Sequence, residues 1–553
     1  MIRTALVLLT AVTAAAPALA VPGPESVAVV ANANIAESVS LARAYARARQ
    51  VPDRQVCLLD LPDVADITLE ELRTLVIGGI EACLAPDGIM DRIEAVVLMR
   101  GVPLRVAIPT DAGDQRVSLA AALGAWRSAS DDGTPLVGRP PGEMATCGSS
   151  PCYAAAWRNP FRRGAFEAGW TQPSQGIEWR PLLVTMLHGR SFEDAALLVE
   201  SALAAEERGG APGELLFMDG ADPARGALDA EYDAVIEVLR DRGFTDVSRV
   251  PFDADLTGRT LASFVTGTAS IGLTIEGNEF LPGALVDNLT SFGAVPENFM
   301  DAEAGESQVS IARWVAQGAA GVHGTTDEPL NNVFPSRWFI VDYIDGSTLA
   351  EAYHRRLPNA YWRNLVLGDP MLAPYAVRPT VSIEGVADGE TVGDARWLTV
   401  RAEDPSGERE IDWIALFVDG LEVARVEDGA TELVHCFDMS DGDGVQVLAV
   451  AQLAQDETVV SVHQPKGWTA VRVNGAPGAH ECAGDEDAGP SDADVAPGDA
   501  DQPGDADQPD DADIQGADSD VDSPDGPGGD ACSCRAVGRL RGRRPGRLVA
   551  RLW

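Results

Sequence analysis

Ser26-Val27-Ala28-Val29-Val30 opens the body of this 553-residue chain, and the segments behind it decide the fold. The apolar run reads as a buried strand, Asn32 and Asn34 mark a turn, and an Ala/Arg-rich helix spans Glu37 to Arg49. The pattern then repeats. Val56-Cys57-Leu58-Leu59 is a second strand, and Thr68 to Cys83 is a helix whose Thr68-Leu69-Glu70-Glu71 start has the spacing of a capping box. Ala95-Val96-Val97-Leu98-Met99 is a third strand, ending in Arg100-Gly101-Val102-Pro103. Strands alternating with helices at this spacing predict a parallel sheet wound with helices.

A Gly- and Pro-rich stretch, Asp131 to Gly176, reads as an elaborate loop, after which the alternation restarts. Leu182 to Met186 is strand-like, Ser191 to Glu207 helical, Glu214 to Asp219 a strand and Asp229 to Arg242 a helix; further strands are expected at Val247–Phe252 and Ser270–Ile275. Between Val381 and Val473 the texture changes to short alternating segments. Ile414 to Val418 joins Leu421 to Ala424 through Asp419-Gly420, a strong two-residue hairpin signal, and the whole stretch resembles an immunoglobulin-like sandwich. The expected fold class is therefore α/β: two parallel-sheet subdomains, residues 21–205 and 206–377, followed by a β-sandwich over 378–474. A disordered acidic linker is expected over 475–531, because Asp, Ala, Gly and Pro cannot bury enough surface to offset chain entropy.

The first twenty residues carry Arg3, an apolar run from Ala5 to Ala16, and then Ala18-Leu19-Ala20. This order is that of a cleaved secretory signal, so an exported protein beginning at Val21 is expected, at the cell surface or outside the cell. No later stretch has the roughly 18 apolar residues needed to span a bilayer. The net charge is −43, and Glu481 to Asp530 alone holds 18 acidic residues and no basic one. Such a field excludes nucleic-acid partners, whose phosphates are held by Lys and Arg. In an oxidising compartment the cysteines are expected to pair locally, as Cys57 with Cys83, Cys147 with Cys152 and Cys436 with Cys482. No zinc-type CxxC site and no phosphate loop with its lysine is present, Lys466 being the sole lysine, so no metal and no cofactor is expected.

Residues 26 to 109 and 265 to 376 resemble an uncharacterised family of exported bacterial proteins of the myxobacterial and planctomycete type. The residues that carry the likeness are Asn32-Ala33-Asn34, Arg100 to Arg105, Pro282 to Gly293, Gly318 to Thr325, Glu328-Pro329 and Gly368-Asp369-Pro370. A more distant similarity is to gingipain-type cysteine peptidases of the caspase-like fold, which implies a caspase-like second subdomain followed by the sandwich. In those enzymes one strand ends in Gly-His-Gly, supplying the base, and the next ends in the nucleophilic Cys. The resemblance places Leu273 to Glu279 at the first position and Leu289 to Gly293 at the second, so both catalytic residues are missing.

These residues leave two main functional readings: a non-peptidase scaffold that binds a protein or envelope ligand, and a hydrolase with altered chemistry around Ser291, with Asp287, Glu276 and His323 as its candidate partners. A purely structural envelope module is the third. Ser291 as a turn hydroxyl and His323 as a packed histidine compete with the catalytic roles, and His188-Gly189 reads as a turn. Candidate binding positions at strand ends and adjoining loops are Asn32, Asn34, Arg100, Asp219, Asn278, Thr325, Glu328 and Asp369; the last also suits a structural aspartate tying a loop. Cys532-Ser533-Cys534, ahead of an arginine-rich end, resembles the start of a myxobacterial C-terminal sorting tail recognised by a sorting peptidase. It departs from that pattern because residues 536–553 lack a spanning segment.

Overall fold

The computed structural model describes residues 21–482 apart from 112, 131, 140–142, 148–149, 155–158, 160–176, 300–307, 330–332, 439–443, 455–463 and 479–480. The expected acidic linker from residue 483 onward and the sorting-tail cysteines Cys532 and Cys534 lie outside the described residues, as do the side chains of Cys147 and Cys152, whereas Gly475 still belongs to a strand.

The α/β part is built on ten strands: β1 (Val27–Asn32), β2 (Val56–Leu59), β3 (Ala95–Met99), β4 (Leu183–Leu187), β5 (Glu214–Met218), β6 (Val247–Val250), β7 (Thr260–Thr266), β8 (Glu279–Asn288), β9 (Gly321–Thr325) and β10 (Asn364–Gly368). They form one continuous sheet in the order β6-β5-β7-β8-β9-β10-β4-β3-β1-β2. The two expected units thus share a sheet, joined where Met186 of β4 lies beside Leu367 of β10. β1, β2, β3 and β4 are mutually parallel, as are β5 to β9, and β10 runs antiparallel to β9. Every residue of β1, β3, β4, β5, β9 and β10 is buried, which is why these segments read as apolar runs and not as alternating ones.

Local chemistry sets the ends of the helices. Glu71 donates its backbone N–H to Thr68 Oγ1 at 3.1 Å while its carboxylate accepts from the Thr68 N–H at 2.7 Å, the reciprocal box expected from the sequence. Past that first turn, Leu72–Ile77 widens into a π-helical stretch before α-helical geometry returns at Gly78–Leu84. The helix Phe192–Arg208 is capped by the Ser191 hydroxyl, which accepts from Asp194 N at 3.0 Å. It ends at Gly209, whose φ of +70° suits a left-handed cap.

One strand expectation is corrected. Ser270–Ile275 is a turn, and the strand before β8 is Thr260–Thr266. Gly272 and Gly277 interrupt the apolar pattern there, Leu273 is 59% exposed, and the Gly272 and Thr274 amides turn back to Ala254 O. The run from Leu261 to Thr266, by contrast, is buried throughout and pairs on both sides.

The sandwich comprises a three-stranded sheet (Thr380–Glu384, Arg396–Glu403, Glu432–Phe437) and a five-stranded one (Thr391–Val392, Lys466–Gly475, Val445–Leu453, Ile411–Val418, Leu421–Glu427). Asp419 and Gly420, at φ +48° and +80°, make the tight hairpin turn that the Asp-Gly pair signalled. Disulfides Cys57–Cys83 and Cys436–Cys482 are formed, spanning 26 and 46 residues. The first ties β2 to the helix Gly78–Leu84. Replacing Cys57 and Cys83 together by Ala is expected to cost about 3 kcal/mol through the freed loop, measured by urea titration as a lowered midpoint with an m-value equal to or larger than wild type, because the unfolded chain is less compact.

Candidate functional site

Asp287 on β8 and His323 on β9 are register neighbours, and both are fully buried. His323 Nδ1–H donates to Asp287 Oδ1 at 2.7 Å, and Nε2 lies 3.0 Å from Asn364 Oδ1 at the start of β10. The second Asp287 oxygen accepts from the buried guanidinium of Arg337, which also donates to Thr266 O at the tip of β7 at 3.3 Å. Burial alone would raise the Asp287 carboxyl, but Arg337 and the His323 bond hold it below its usual value. Four strands are thereby stitched together by one buried polar cluster. Phe334, edge-on to His323 at 5.4 Å, and Tyr353, stacked at 6.5 Å, complete its enclosure.

Ser291 lies apart from this cluster in hydrogen bonding. Its hydroxyl donates to Glu328 Oε1 at 3.0 Å, its partner among the described residues, and its carbonyl accepts from Thr325 Oγ1 at 2.8 Å. Glu276 is exposed and forms an ion pair with Arg313 at 2.8 Å. The four catalytic candidates therefore fall into three separate contacts: Asp287 with His323, Ser291 with Glu328, and Glu276 with Arg313.

Because the strand before β8 is β7, the tip that precedes it reads Thr266-Gly267-Thr268, not Leu273 to Glu279. No imidazole stands there either. The Thr268 amide donates to Asn288 Oδ1 at 2.8 Å, so these side chains close the ends of their own strands.

The loop carrying Glu328 is held by Arg105 from the first half of the chain and by Trp362 and Arg363 just before β10. Arg105 donates to Thr326 O at 3.2 Å and pairs with Asp66 at 2.6 Å, while Arg363 donates to the Glu328 carbonyl and, at 3.1 Å, to Arg116 O. Trp362 Nε1 adds a bond to Pro329 O at 2.9 Å. The loop after β9 is thus tied to Arg105, at the start of the strand Arg105–Ile108, and through Arg363 to Arg116.

The remaining binding candidates are partnered. Asn32 Nδ2 donates to Gly101 O at 2.9 Å, and Asn34 reaches Asp60 at 2.6 Å. Arg100 donates to Gly189 O and lies over the Phe192 ring at 5.2 Å. Asp219 pairs with Arg249 at 2.8 Å, and buried Asn278 donates to Leu256 O and Thr274 O at 2.8 and 2.7 Å. Asp369 accepts from Tyr45 at 2.8 Å and from Arg49 and the Met371 amide, tying β10 to the helix Ala36–Ala48. Sequence reasoning missed Arg337 and Asn364. The signal for Arg337 was an arginine inside Val333-Phe334-Pro335-Ser336-Arg337-Trp338-Phe339, an apolar setting in which a cation requires a buried acid.

No family model and no curated protein matches the chain. Among solved structures, one described as a protease aligns with 81% of this chain and 97% of its own, at 14% identity and a TM-score of 0.40. Fibronectin(III)-like modules of Clostridium thermocellum CbhA align with 21% of this chain and 53% of theirs, at 14% identity and a TM-score of 0.14.

The buried groups set two measurable expectations. Asp287→Asn strands the Arg337 charge in the core, so unfolding free energy should fall by about 3–5 kcal/mol, read by urea titration. Burial, with a smaller contribution from Arg100, pushes His188 down to about 3, and burial pushes His354 down to about 4. Both stay neutral in the fold while the unfolded chain takes up protons from pH ~6.5 downward. Stability is accordingly full above that pH and is lost as pH falls, by roughly 1.4 kcal/mol per unit per histidine. Urea midpoints at pH 7, 6 and 5 should show this slope, and His188→Met together with His354→Met should flatten it.

Proposed function

We propose that this is an exported, non-peptidase scaffold that binds a protein or envelope ligand through the loops at the strand tips around Ser291, Thr325 and Glu328. The observation that carries this reading is the separation of imidazole from hydroxyl. Both His323 ring nitrogens are engaged within the core, by Asp287 and Asn364, whereas partly exposed Ser291 meets a carboxylate. A nucleophile needs a base with a free lone pair within about 2.6–3.2 Å, and one that can also hand the proton on. The loop architecture favours binding as well. Arg105, Arg363 and Trp362 hold the backbone of Thr326 to Pro329 at three points, which presents Glu328 in a fixed position. With Glu297 65% exposed nearby on Arg105, the rim is acidic and suits a ligand carrying basic groups.

Export is supported by the leader-like first twenty residues and by two disulfides, which persist in oxidising compartments. No helix among the described residues is long and apolar enough to cross a membrane.

Reactive profiling of the purified protein with a fluorophosphonate and with iodoacetamide tests the proposal. Neither should modify residue 291, and Ser291→Ala should leave both labelling patterns unchanged. Fluorophosphonate labelling that disappears in Ser291→Ala would replace the scaffold reading with the hydrolase one.

A further inference from the structure

Lys466, the sole lysine of the chain, is the first residue of a sandwich strand and is buried against the α/β part. Its Nζ lies 2.7 Å from Glu25 Oε1 and 3.1 Å from Glu94 Oε2, two carboxylates supplied by the segment before β1 and the residue before β3. Side-chain exposure is 3% for Lys466, 4% for Glu25 and 27% for Glu94. At this joint a compact ammonium with three donors reaches two acids. Take the lysine away and two acids face one another in a site largely closed to water, where neither has its cation.

We propose that the sandwich is a closing strap for the N-terminal segment: docking of Lys466 between Glu25 and Glu94 completes the α/β part, which is electrostatically unfinished without it. Residues Val21 to Ser26 are all buried beneath this contact. From the α/β side Gln55 Nε2 holds the segment through Pro24 O and Val27 O at 2.8 and 2.7 Å, and Arg92 Nε through Glu25 O at 2.9 Å. Arg92 also donates to Gly420 O in the sandwich hairpin and lies over the Phe417 ring at 5.2 Å. Gly420 is required there twice, by its positive φ and because a Cβ would come within 2.9 Å of Pro52. Arg378 stacks over Trp468 at 4.6 Å and donates to Lys466 O at 2.8 Å. Trp468 and Leu421 pack into the same core as the sheet. The first residues of the body therefore wait on a residue 441 positions later before they are fully enclosed.

A single lysine makes the strap directly readable. In full-length protein treated with an N-hydroxysuccinimide ester, mass spectrometry of the Lys466 peptide should show acylation about a hundred-fold slower than in guanidinium-unfolded protein. Glu25→Gln with Glu94→Gln should speed it by about ten-fold or more, while Arg242→Gln, which breaks a remote exposed ion pair, should leave it unchanged. Wild-type acylation at the unfolded rate, or a Gln variant no faster than wild type, overturns the proposal. If the Gln variant does not accumulate folded, Lys466→Met decides by native Glu-C digestion: faster cleavage after Glu25 is expected, and an unchanged rate overturns the strap.

Discussion

A carboxylate taken out of water has to be matched by a cation and hydrogen bonds, and Asp287 is matched on both oxygens. Its strand neighbour His323 takes one oxygen and Arg337 takes the other, while Asn364 on the next strand closes the far side of the imidazole. Because Arg337 also reaches Thr266 O, β7, β8, β9 and β10 cannot shift relative to one another without leaving a charge unpaired. The same satisfaction that fixes the register uses up the imidazole. What remains at this end of the sheet is a set of hydroxyls and carboxylates on a loop held by Arg363, just before β10, and by Arg105 from the other half of the chain.

That other half is joined by the same kind of interaction. Asp369, just past β10, is held by Tyr45 and Arg49, and Arg49 also reaches Glu206 at the end of the helix Phe192–Arg208. Arg378 bonds Glu206 in turn at 3.4 Å, where the chain enters the sandwich. A run of buried or half-buried arginine–acid contacts therefore links the first helix, the last strand of the sheet and the start of the sandwich. Charge pairing of this type adds specificity of arrangement more than net stability; the apolar sheet faces supply the latter.

Most of this architecture is legible in the residues themselves. Apolar runs such as Ala95–Met99 and Glu214–Met218 are buried on both sides of the sheet, the Thr68 and Ser191 caps sit at their helix starts, and Asp419-Gly420 turns its hairpin. Ser270–Ile275 misleads because its composition is β-like, while the decisive quantity is pairing: Thr260–Thr266 has a partner on each side and Gly272 breaks the other run. Joining two units in one sheet was not legible, since nothing in a sequence period states that Leu367 will lie beside Met186. The site was half legible. Asp287, Ser291 and His323 stood out as residue types, but whether a histidine faces solvent or an arginine-held aspartate depends on Arg337, 50 positions away from Asp287.

The rigid anchoring of the loop after β9 bears on what the tip can do. An enzyme that orders its site on substrate arrival keeps mobile elements near the chemistry, with few contacts to break. Here Thr326, Glu328 and Pro329 each accept a hydrogen bond to a backbone carbonyl from a buried or half-buried side chain, so moving the loop would strand three donors at once. A surface already fixed in one shape loses little entropy on association, and that favours recognition of a ligand over remodelling around one. The polar groups of this tip are thus held at several points, Ser291 donating to Glu328 and Thr325 donating to the Ser291 carbonyl, and the proposed binding role rests on that anchoring.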